Sequence, residues 1–117
     1  MNYIAIAGLK FKGRFEDTPT GISLPKRQER ILQTVMHHYD VSWEDMIARC
    51  RKRKVLVPRQ VAMYLLHKML GMGCVDVGNL FNMDHTTAIH TFALIQDLID
   101  TNEDFRNEIR GIKENIL

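Results

Sequence analysis

The sequence has 117 residues, of which 45% are hydrophobic and 26% charged, and a formal net charge of +2. That length holds one core and not two, and the composition is ordinary for a water-soluble domain. No apolar run approaches the roughly 18 residues a membrane helix needs, and residues 1–8 lack the basic start and apolar stretch of a signal peptide. Cys50 and Cys74 have neither metal nor redox spacing, which points to a reduced, cytoplasmic setting.

The small net charge hides an asymmetry. Residues 49–59 contain Arg49, Arg51, Lys52, Arg53, Lys54 and Arg59 and no acid, which is six of the sixteen Lys and Arg. The rest of the chain has ten basic against fourteen acidic residues, a net of −4. A focused basic patch on a mildly acidic body fits a local polyanion footprint, although a solvated loop without a partner has the same composition.

In chain order, residues 1–23 come first and differ from the rest. Ile4, Ile6, Leu9 and Phe11 alternate with smaller or charged residues, and Gly8, Gly13, Pro19 and Gly21 punctuate the segment, so an extended arm is expected. From Leu24 the pattern turns helical. Pro25 suits a first turn, with Ile31, Leu32, Val35 and Tyr39 inward. Ser42-Trp43-Glu44-Asp45 has the form of a capping start, followed by Met46 and Ile47. The basic run then reads as a loop. Pro58 opens the next predicted helix, with Val61, Ala62, Leu65, Leu66 and Met69 as its buried face and Gly71 and Gly73 ending it. Residues 75–81 form a short apolar-patterned segment. Asp84 is a good N-cap for the next helix, in which Ala88, Phe92, Ile95 and Ile99 make one stripe. Asn102 caps a last helix with Phe105, Ile109 and Ile112 inward.

These elements predict an all-α fold of about six helices with an extended N-terminal arm. The segments over 74–100, joined by a tight connection at 81–84, form a helix-turn-helix. The first turn after Asp84 shows His85, Thr86 and Thr87: short, polar and outward. The second helix of such a motif enters the major groove at its start, where small donors and acceptors meet base edges. Asp84, His85 and Thr86 are therefore candidate base readers, with Thr87 on a base or the backbone. Arg59 and Gln60, beside Pro58 at the predicted helix start, suit a phosphate oxygen, because free N–H groups and the helix dipole add to the Arg charge.

The motif Asp84-His85-Thr86-Thr87 followed by Ile89-His90, with Pro58-Arg59-Gln60 and the basic run Arg51-Lys52-Arg53-Lys54 before it, resembles the DNA-binding domain of the bacterial replication initiator DnaA. The likeness reaches from about Ile31 to Phe105. It implies a domain over 24–117, with the arm over 1–23 outside it, that binds double-stranded DNA at DnaA-box-like sites in replication initiation or its regulation. It also implies that Arg51, aligned on Pro58-Arg59-Gln60, inserts into the minor groove. Arg suits that role because a narrow minor groove concentrates negative potential. Lys52, Arg53 and Lys54 would add phosphate contacts.

The sequence departs from the family pattern in several places. Its turn is one residue shorter than the commonest form, Met83 stands where a basic residue is usual, Val75 where Pro is common and Val57 where Arg is common.

No enzyme is expected. The sequence has no nucleophile–base arrangement, no carboxylate pair and no phosphate-loop motif, whereas full initiators of the family carry an ATPase module. No metal or cofactor is expected either: His37 and His38 are adjacent, and His85 and His90 are five apart, not the i, i+4 spacing of a zinc pair. His90 is expected to face the core or a backbone carbonyl. The residues favour a standalone regulator over an excised domain. The competing reading is a protein-interaction module that kept the fold and binds its partner through the arm and exposed Met or aromatic residues.

Overall fold

The computed structural model describes residues 25–48 and 52–116, so the arm and Arg51 lie outside the described residues. Six helices follow in order: α1 Lys26–Tyr39, α2 Trp43–Ile47, α3 Arg53–Leu70, α4 Cys74–Leu80, α5 His85–Thr101 and α6 Glu103–Ile116. No strand occurs among the described residues, and none of these helices is long and apolar enough to cross a membrane. The chain divides into two compact units, Met1–Arg59 and Gln60–Leu117.

In the first unit, α1 buries Ile31, Leu32, Val35 and Met36, while Tyr39 is half-buried. It ends at Asp40, which takes the left-handed conformation at φ 56°. A short polar side chain tolerates that conformation better than most. Ser42 then caps α2 reciprocally. The Asp45 amide donates to Ser42 Oγ at 3.1 Å and the Ser42 amide donates to Asp45 Oδ2 at 3.2 Å. Two orphan donors are thereby satisfied on a helix of five residues.

Helix α3 begins five residues earlier than Pro58, and Pro58 lies inside it. The Lys52 carbonyl accepts from the Val55 and Leu56 amides at 2.9 and 2.8 Å, so the basic run is the start of a helix and not a loop at Arg53 and Lys54. The proline is tolerated because the bond it removes falls on the carbonyl of Lys54, an exposed residue in the first turn.

In the second unit the remainder of α3 is buried all round from Val61 to Leu66, Met63 and Tyr64 included, and Met69 is half-buried. A helix with no polar face belongs to the middle of a fold. Gly71, at φ +71°, ends it. α5 packs against α4 and α6. Its buried residues are Ala88, Thr91 and Ile95, with Phe92 and Ile99 half-buried. His67 stacks on Phe92 at 4.1 Å between ring centroids and hydrogen-bonds the Met72 carbonyl through Nδ1 at 2.8 Å. The Tyr64 hydroxyl donates to Gln96 Oε1 at 2.7 Å. Asn102 caps α6 by accepting from the Phe105 amide at 3.0 Å, and Arg106 donates from Nε to the Ile99 carbonyl at 2.9 Å, closing the end of α5.

Candidate nucleic-acid interface

The helix-turn-helix is α4, the turn 81–84 and α5. Two backbone features make so short a turn work. Asn82 adopts φ 58°, a conformation Asn accepts more readily than most side chains. Gly78 lies under the turn: the Met83 amide donates to the Gly78 carbonyl at 2.8 Å, and a Cβ on Gly78 would stand 2.7 Å from the Met83 carbonyl oxygen. Phe81 is fully buried and pins the turn's first residue.

Asp84 caps α5. Its Oδ1 accepts from the Thr87 amide at 2.8 Å. Hydrogen bonds from the amide and hydroxyl of Thr87, then the neighbouring His85 ring and the amide of Thr86, hold this carboxyl below its ordinary pKa, so Asp84 is ionised at neutral pH. Asp84, His85, Thr86 and Thr87 are all exposed and form one cluster on the first turn of α5. A carboxylate has about four lone-pair directions, so the cap leaves acceptor capacity for an amino group on a base.

A second cluster belongs to the first unit. Lys52, Arg53 and Lys54 are exposed at the start of α3, and the first turn of that helix holds no acid. The positive end of a helix dipole is where acids are normally favoured and cations are not. Three cations there raise the local potential at a cost to the free protein, and an approaching phosphate relieves that cost.

Arg59 and Gln60 do not stand at a helix start. Arg59 is the seventh residue of α3 and only 5% exposed, and its Nη1 donates to the Ala48 carbonyl at 2.7 Å. Ala48 is the C-cap of α2 and the last described residue before 49–51, so Arg59 anchors one end of the connection that carries Arg51. Gln60 is half-buried. His90 is exposed rather than facing the core: at about 100° per residue it is turned well away from the stripe of Ala88, Thr91 and Ile95. The histidine with the role expected of it is His67. Among the described residues no three His, Cys, Asp or Glu side chains gather as a metal ion would need.

Sequence reasoning missed Gly78. A glycine inside a short apolar helix, six residues before the end of a tight turn, is the signal that marks a close backbone approach.

A family model described as bacterial DnaA protein helix-turn-helix matches residues 28–95. The chain is 45% identical over 89 residues, 75% of its length, to the chromosomal replication initiator protein DnaA of Chloroflexus aggregans, of which it covers 19%. It is 35% identical over 88 residues to DnaA 1 of Chlamydia pneumoniae and 36% identical over 97 residues to DnaA of Bartonella quintana, covering 19% and 20% of those proteins. The chain thus spans about a fifth of the length of the curated relatives it matches.

Proposed function

This chain belongs to the bacterial DnaA helix-turn-helix family, and from that premise we propose that it binds double-stranded DNA sequence-specifically, at DnaA-box-like sites, in replication initiation or its control. The observation that carries the reading is the capped, exposed first turn of α5, on which Asp84 fixes the positions of His85, Thr86 and Thr87. Asp84, His85 and Thr86 contact base edges in the major groove, and Thr87 adds a contact to the backbone or a base. Lys52, Arg53 and Lys54 contact phosphates, and Arg51 inserts into the minor groove. Such backbone contacts set register while base contacts set sequence.

Arg59 takes a part other than the phosphate contact in this reading. Its guanidinium is engaged with Ala48, so we assign it the task of positioning the 49–51 connection. Gln60 stays a candidate backbone contact. The protein acts on the chromosome in the cytoplasm and performs no reaction in this reading.

Selection of binding sites from random duplexes, followed by titration against a scrambled duplex at several salt concentrations, tests the reading. Arg51→Ala is expected to weaken the selected site by about 1–3 kcal/mol. A wild-type protein that never distinguishes one duplex from another would favour the interaction-module reading, and such a partner interface would also lack the steep salt dependence of phosphate contacts.

A further inference from the structure

We propose that Ile89 is a specificity residue: its side chain contacts the 5-methyl group of a thymine in the major groove, one turn behind the residues that read base edges. The proposal rests on the DNA-binding reading above. Ile89 is 49% exposed although α5 has ample buried positions for an aliphatic side chain, and Ala88 beside it fills one of them. At about 100° per residue, it lies about 40° round the helix from His85 and about 60° from Thr86, between the two, and about 6 Å further along the axis. Helical side chains lean toward the N-terminus, so Ile89 leans toward the tip.

The rest of that outward sector narrows the possibilities. Ala93 is exposed one turn further on but carries a single methyl group. Asp97 and Asp100 are exposed beyond it, about 18 and 22 Å from His85 along the axis. Their charge repels phosphates, so the duplex meets the first turns of α5 and not the rest. Leu94, 45% exposed, sits about 180° round from His85 and does not extend the sector into an apolar docking patch. What remains is one stiff, β-branched aliphatic group on the sector that His85 and Thr86 share. Thymine presents the complementary apolar group there, and an isoleucine in a helix has little rotamer freedom to lose.

The test compares wild type with Ile89→Ala on the selected duplex and on copies in which each thymine is replaced in turn by deoxyuridine. At one or two positions the missing methyl should weaken wild type about fourfold, the equivalent of about 0.8 kcal/mol per buried methyl-sized group. At those positions it should cost the variant nothing. The variant should bind the unmodified site about fourfold more weakly and a scrambled duplex as before, and Leu94→Ala should match wild type. The position is exposed and alanine favours helix, so the variant keeps its fold, which thermal melting checks. Equal uracil costs in both proteins at every position, with wild type still preferring its selected site, overturn the proposal. If wild type shows no preference at all, the base-reading premise has failed and Ile89 with it, and that outcome is read from wild type alone.

Discussion

In the proposed reading, Asp84 joins folding to recognition in one side chain. Its depressed pKa means that the folded state holds the carboxylate more tightly than the unfolded chain does. The resulting stabilisation is present above the unfolded value, near 3.9, and is lost as pH falls through the lower folded value. Asp84→Asn keeps a capping oxygen but removes the charge and adds a donor, so melting at neutral pH should change little while base preference shifts. Asp84→Ala should lower both the melting temperature and specific binding. An Asp84→Asn variant that selects the same site as wild type would remove the carboxylate from base readout. Gly78 acts through the backbone alone. Because its Cβ would press on the Met83 carbonyl at 2.7 Å, Gly78→Ala should destabilise by about 1–3 kcal/mol and weaken the selected duplex more than a scrambled one, since the turn that places Asp84 must shift. Unchanged melting would show that the turn relaxes freely.

The elements show what their residues announced and what they did not. Caps at Ser42, Asp84 and Asn102 and the stripes of α1, α5 and α6 were legible, because each depends on neighbours three or four positions away. The start of α3 was not. Proline is a strong sign of a first helical position, and the basic run before it looks like a loop by composition. What decides the matter is the hydrogen bonding of the Lys52 carbonyl and the placement of Arg59, and the Arg59–Ala48 bond spans eleven residues. That bond separates two roles by experiment. If Arg59 positions the connection, Arg59→Lys keeps the charge but loses the fork, so both Arg59→Lys and Arg59→Ala should lower melting and specific binding with the salt slope nearly unchanged. Rescue of binding by Arg59→Lys would favour the phosphate contact that its type suggested. The crowded start of α3 has a sharper consequence. Lys52→Ala with Lys54→Ala removes cations from the unfavourable end of a dipole, so the free protein should become more stable at low salt, by roughly 0.3–1 kcal/mol per charge at most. Every duplex should bind more weakly, with a salt slope smaller by up to roughly two units. A double variant that loses both stability and affinity would mean these lysines support the fold.

Over the whole molecule, charge is divided along the chain. Residues 1–59 hold twelve basic and six acidic residues, a net of +6, while residues 60–117 hold four and eight, a net of −4, which together give the +2 of the full sequence. Base reading is assigned to α5, in the acidic part, and attraction to the cations before it. A part that repels phosphate gains little from nonspecific contact, so the affinity of the whole should follow salt through a few cations. If Lys52, Arg53 and Lys54 neutralise one phosphate each, log K against log salt should fall with a slope of roughly −3. The arm tests that assignment, because Lys10, Lys12 and Arg14 are the other basic residues outside the helical region, set against Glu16 and Asp17. Removing residues 1–20 should leave cooperative melting and specific binding in place and change the slope by no more than about one unit, since the removed segment carries a net charge of +1. Loss of cooperative melting would make the arm part of the fold. A slope that falls by two or three units with the fold intact would move the phosphate contacts from the start of α3 to the arm.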